Sequence, residues 1–200
     1  MVLKSIAKLG AMLMLGASLA GCIDATVDVE VTSEATAKAT LTQVMGADFY
    51  AMVKMSAEEG EASADTFCAE GELTEHADGS ATCLIAEEGT FEELAAIEGE
   101  ENALFFTSAG PGLVRVALPT AELTGELGSS DEMDAETKQM VEAFFTGHTI
   151  TIRFSGAEIV ETNMDLSDDK KSAETELPFL DLINGTAELP DELYAVVRAK

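Results

Sequence analysis

Three cysteines, two histidines and 38 carboxylates are the side chains in this 200-residue sequence that could do chemistry. Cys22 follows Leu19-Ala20-Gly21. Small side chains before a cysteine let an extended backbone enter a protease cleft, and the thiol is the one strong nucleophile beside it. Cys68 and Cys83 are too far apart for a Cys-x-x-Cys redox motif, and His76 and His148 are not arranged around them as zinc ligands would be. In an oxidising compartment two such thiols are expected to close a Cys68–Cys83 disulfide. Redox and metal roles are the rival readings.

The other groups offer less. Neither histidine comes with a Gly-x-Ser-x-Gly motif, so both read as exposed or capping residues. Asp165, Asp168 and Asp169 present oxygens that suit a hard cation, but they lack the spaced acids and glycine of an EF-hand and read as a solvated turn. Glu58, Glu59 and Glu61 read the same way, as does the acidic stretch 131–136, which also suits a helix N-terminus. So many acids leave no single carboxylate pair to choose for glycoside chemistry. Met45, Met52 and Met55, with Phe49 and Tyr50, either line an adaptable apolar pocket or pack in a core; their helical spacing favours the core. The sequence assigns no catalytic, cofactor-binding or metal-binding residue.

What precedes Cys22 sets the compartment. Lys4 and Lys8 put charge near the start, and residues 9–21 are apolar and small. A basic start, a short apolar run and a small-residue site describe a secretory signal peptide over residues 1–21, too short to span ~30 Å of hydrocarbon. An ordinary secretory signal or a buried N-terminal helix is the alternative. Leu19-Ala20-Gly21-Cys22 resembles the lipobox of bacterial lipoproteins. The resemblance implies that the Cys22 thiol carries a diacylglycerol, that the chain is cut before it, and that the new amino terminus is acylated as well. It also implies a lipid-anchored protein of the cell envelope, facing the periplasm or the exterior. In such proteins an acidic residue directly after the cysteine favours inner-membrane retention, and Ile23 is not one.

The formal net charge is −27. Lys4 and Lys8 are two of only 11 basic residues, so cleavage makes the chain more acidic still. Such a surface repels nucleic acid and anionic membrane, and its ordinary meaning is solubility. Residues 22–200 suit one domain with a sizeable core.

Hydrophobic periodicity supplies the elements. Residues 24–33 and 35–42 alternate with period two and form a hairpin. Residues 46–59 change to helical spacing. Residues 66–75 and 80–87 flank the turn His76-Ala77-Asp78-Gly79. Thr90 and Glu93 fit a capping box opening a helix to about residue 97. Residues 103–107 and 113–118 make a third hairpin with both arms apolar enough for central strands. Residues 121–127 suggest a helix, and Met133, Met140, Val141 and Phe144 another, ending near Gly147. Strands follow at 148–154, 157–163, 172–177 and 193–198, with 178–183 a short helix or loop. The expected fold class is α+β, with antiparallel hairpins forming a mainly antiparallel sheet packed by two to four short helices.

The late strand Ile150-Thr-Ile-Arg-Phe-Ser-Gly156, running into Ile159-Val160-Glu-Thr-Asn163 behind a lipobox and an early hairpin, resembles the LppM-type family of bacterial lipoproteins. It departs from them where Asn163 is followed by Met164 rather than Gly, and in lacking a C-terminal transmembrane segment. The resemblance implies an α+β envelope domain handling a lipid or a protein partner, and it implies no catalytic residue. The sequence thus points to a binding or scaffolding module for a lipid or envelope-protein partner. A periplasmic hydrolase with an unrecognised carboxylate site and a purely structural envelope protein are the alternatives.

Overall fold

The alternation of Val27, Val29 and Val31 with Asp28 and Glu30 produces the first strand, β1 (Ile23–Val31), which turns through Ser33 into β2 (Thr36–Met45). Ser33 Oγ accepts from the backbone N–H groups of Ala35 and Thr36, closing the turn. In this computed structural model the described residues are 23–58, 67–69, 71–95, 104–120, 139, 142 and 145–200. The signal segment and the helix expected over 121–127 lie outside them. So does most of the helix expected before Gly147, of which Phe145 is described and buried.

After β2 come α1 (Ala47–Glu58), β3 (Glu72–Glu75), β4 (Ala81–Thr90) and α2 (Phe91–Ala95). The Thr90–Glu93 capping box forms: the Glu93 N–H donates to Thr90 Oγ1 at 3.3 Å, and the Thr90 N–H donates to Glu93 Oε2 at 2.9 Å. Next are β5 (Phe105–Gly110), β6 (Leu113–Pro119), β7 (Thr149–Ser155), β8 (Glu158–Thr162), β9 (Asp165–Leu166), β10 (Ser172–Pro178), α3 (Phe179–Ile183) and β11 (Glu192–Arg198). Three short helices among the described residues and a mainly antiparallel β framework make the fold α+β.

The strands divide between two sheets rather than the one sheet read from the hairpins. Seven run in the order β3-β4-β2-β1-β7-β10-β9, and four in the order β5-β6-β11-β8. One pairing is parallel, β1 with β7, and it joins the N-terminal hairpins to the C-terminal strands. One hydrophobic cluster lies between the sheets, with Val29, Val31, Leu41, Ile152 and Phe154 from the first and Val114, Val116, Leu193 and Val197 from the second. Gln43 shares the inward parity of β2 and is buried among apolar neighbours. The third hairpin departs from expectation: β6 is buried, whereas β5 lies at the edge and is mostly exposed.

Strands expected at 148–154 and 157–163, only two residues apart, suggest neighbours joined by a turn at Ser155-Gly156. Instead the chain there leaves one sheet for the other, since β7 lies in the first and β8 in the second. The corner leaves no room for a side chain. A Cβ on Gly156 would stand 2.3 Å from Val197 Cγ1 and 3.0 Å from the Arg198 carbonyl oxygen. Gly156→Ala should therefore cost about 1–3 kcal/mol through forced backbone movement. Urea unfolding of the two proteins measures this, and equal midpoints would show that the corner relaxes freely.

Candidate functional site at the start of the first strand

The described chain begins at Ile23, one residue after Cys22, and Ile23 is already paired with Met45. No linker separates the lipobox-like cysteine from the sheet. Register then places the neighbouring strand ends beside it. Met45 pairs with Ala81, the first residue of β4, and Ala81 pairs with Glu75, the last residue of β3. On the other flank the Asp24 carboxylate accepts from the Thr149 N–H at 3.0 Å and lies 3.2 Å from His148 Nδ1, so β1 and β7 start together. His148 thus acts as a tie between strand starts. His76 sits at the same end, its Nε2 2.8 Å from Thr82 Oγ1.

The helix α1 follows this rim directly. Tyr50 is 1% exposed and packs with Met45, Phe67, Cys68, Ala81 and Cys83, while Phe49 and Val53 are half-buried against the same cluster. The Tyr50 hydroxyl donates to Glu75 Oε1 at 2.8 Å, and Lys54 Nζ donates to the same oxygen at 3.2 Å. These bonds hold the Glu75 carboxyl below its ordinary range, while burial and the Glu75 bond push the Tyr50 phenol up. The methionine group expected as one pocket or one core is split. Met45 is core, but Met52 and Met55 are 50% and 66% exposed.

The sulfurs of Cys68 and Cys83 are bonded, with Cα atoms 5.4 Å apart. Only Cys83 lies in a hairpin arm. Cys68 precedes β3, in a turn closed by the Gly71 N–H donating to the Cys68 carbonyl. With a sequence separation of 15 between the paired positions, the chain-entropy model gives a stabilisation of about 3 kcal/mol. Adding a reductant should raise the intact mass by two hydrogens and lower the unfolding free energy read from urea titration by about 3 kcal/mol; an unchanged mass would mean free thiols.

The acid–base chemistry that a hydrolase would need is gathered best on the outer face of the large sheet. Asp28, Arg153 and Glu174 are direct neighbours on β1, β7 and β10. Arg153 Nε and Nη2 donate to Glu174 Oε2 at 2.8 and 2.6 Å, while Arg153 Nη1 is 4.0 Å from Asp28 Oδ2. The Ser155 hydroxyl donates to Asp28 Oδ1 at 2.8 Å. Burial pushes the Asp28 carboxyl above its ordinary value, with the Ser155 bond and Arg153 opposing. The cluster is internally paired: the guanidinium is spent on Glu174, and the Ser155 hydroxyl proton is spent on Asp28. This is an ion-paired stripe across three strands, with its donors turned toward its own acceptors.

The raised Asp28 value has a measurable consequence. The native chain keeps this proton to higher pH than the unfolded chain, so stability declines as pH rises from roughly 4 through the native value. Asp28→Asn removes that decline. The variant should gain on the parent as pH rises from acid to neutral, read from urea midpoints across a pH series. A gap constant with pH would remove the titration of Asp28 as its cause.

The acidic turn after β9 is also self-satisfied. Asp169 Oδ1 accepts from Ser167 Oγ at 2.8 Å and from the Lys171 N–H at 3.1 Å, which holds this carboxyl below its ordinary range. Among the described residues no group of three or more His, Cys, Asp or Glu side chains is placed to hold a metal ion. Among them, too, no helix is long and apolar enough to cross a membrane.

No family model matches the chain. No curated protein matches it. Among solved structures it is similar to the folded domain of the LppM protein of Mycobacterium tuberculosis, determined by NMR, at 10% identity over 90% of this chain and 92% of that one, with a TM-score of 0.44.

Proposed function

We propose that this protein is a lipid-anchored lipoprotein of the bacterial cell envelope, tethered through acyl chains on Cys22, whose α+β domain serves as a binding or scaffolding module for a lipid or protein partner. One observation carries the reading. The basic, apolar and small-residue zones end on Cys22, and the first strand starts one residue later. A cleaved, acylated Cys22 would hand the bilayer to a folded domain with no intervening segment. The paired sulfurs of Cys68 and Cys83 support an oxidising compartment. The mutual pairing of Asp28, Arg153, Ser155 and Glu174 favours a non-enzymatic role over the hydrolase alternative, which needs donors left over for a substrate.

Growth with labelled palmitate tests the anchor: the label should reside on the N-terminal peptide beginning at Cys22, and an unlabelled chain overturns it. For the module, lipidated protein is purified from membranes and the co-purifying lipids and proteins are measured by mass spectrometry against the Asp28→Asn and Met52→Asp variants. A partner retained by the first and lost by the second places binding on α1. The same background in all three proteins would leave the purely structural role.

A further inference from the structure

The anchor, if it is on Cys22, decides which end of the sheet meets the bilayer, and α1 lies at that end. We infer that the exposed Met52–Met55 face of α1 is a membrane-contact surface that seats the domain on the bilayer beside its own tether. This rests on the acylation of Cys22 proposed above and adds an orientation and a docking surface to it.

One residue spans at most ~3.6 Å of chain. Cys22 is one residue from Ile23, Ile23 is paired with Met45, and α1 begins at Ala47. The acyl chains therefore hold this rim close to the interface, while the opposite rim, with Glu34 in the β1–β2 turn and the Gly156 corner, points away along the strands. What the near rim exposes then matters.

The buried side of α1 is taken by Tyr50, with Phe49 and Val53 beside it. Its other side presents Met52 and Met55, which at a spacing of three share one helix face. Both are large apolar side chains about half or more in solvent, and Met55 is the most exposed of the large apolar residues described. Methionine is unbranched and adapts to irregular apolar surroundings, as the boundary between headgroups and acyl chains requires. The charges on the same rim select the lipid. Among the described residues of this rim Asp24, Asp48 and Asp78 are acidic, and Lys54 is paired with Glu75. Such a rim is repelled by anionic headgroups and tolerates zwitterionic ones. The contact is thus apolar, short-ranged and strongest on phosphatidylcholine or phosphatidylethanolamine.

The test uses the full lipidated chain in phosphatidylcholine vesicles that carry a doxyl-labelled lipid. An environment-sensitive fluorophore is placed on Met55→Cys, and separately on Glu34→Cys at the far rim. The label at 55 should be blue-shifted and quenched severalfold more than the label at 34, and phosphatidylserine in the vesicles should reduce the difference. In the unlabelled protein, peroxide oxidation of Met52 and Met55 should slow severalfold on vesicles relative to the soluble Cys22→Ser chain. Equal quenching at both positions, or unprotected methionines, in a protein that co-floats with the vesicles overturns the contact while leaving the anchor intact. Failure to co-float overturns the anchor, and the contact with it. Protection of both methionines in native membranes but not in vesicles would assign the face to a protein partner and overturn the lipid contact.

Discussion

Cys22→Ser should move this protein from the membrane pellet to the soluble fraction almost completely. Each acyl CH₂ buried contributes about 0.8 kcal/mol, so one chain binds marginally and two or more bind stably. Serine offers no thiol to acylate, and without the modification the whole term is lost. Among the described residues no helix is long and apolar enough to cross a membrane. The Met52–Met55 face is too small to hold an acidic domain on a bilayer by itself. It orients a tethered domain; it does not tether one. Fractionation of cells followed by a carbonate wash makes the measurement. A Cys22→Ser protein that stays in the washed pellet would defeat the lipobox reading and the compartment inferred from it.

Phe154→Ala should be the most damaging of the core substitutions, costing about 3–5 kcal/mol. That is a large part of the total stability of a typical domain. Phe154 is fully buried near the end of β7. It is paired laterally with Val29 on β1 and Ala173 on β10. Ala173 cannot expand to fill the space that the ring vacates, and Val29 is fixed on a paired strand. The location compounds the cavity. The β1–β7 pairing is the seam that makes one seven-stranded sheet out of β3-β4-β2-β1 and β7-β10-β9. Urea unfolding reads the loss, with Val160→Ala, exposed on β8, expected within about 0.5 kcal/mol of the parent. A Phe154→Ala midpoint as close to the parent as that control would mean that the seam is held elsewhere.

Local features were legible wherever the physics is local. The β1–β2 hairpin follows from strict alternation, the Asp78-Gly79 turn from a glycine that adopts a φ of +89°, and the start of α2 from the reciprocal Thr90–Glu93 bonds. β7 follows in the same way from the alternation of Ile150, Ile152 and Phe154 with Thr149, Thr151 and Arg153. Less legible were features set by what lies across the core. The apolar character of Phe105 and Phe106 suggests a central strand, yet β5 is an edge; Phe106 stacks on Phe91 with ring centroids 4.4 Å apart, while Phe105 faces solvent. Periodicity reports which face of a strand is apolar, not how many neighbours the strand has.

The candidate site divides along the same line. By itself the sequence determined that a basic start and an apolar, small-residue run end on Cys22, that the chain is strongly acidic, and that alternation begins immediately after the cysteine. These depend on residue types in order along one stretch of chain. The tertiary structure alone decided that β1 is bordered by β7 in parallel and that Gly156 is a corner between sheets. It alone gathered Asp28, Arg153 and Glu174 into one stripe, and it alone split the methionines of one segment into a buried Met45 and an exposed Met52 and Met55. Each of these joins positions far apart in the chain or distinguishes faces of one helix by what packs against it. Such contacts are fixed by the shape of the whole core, which no local pattern encodes.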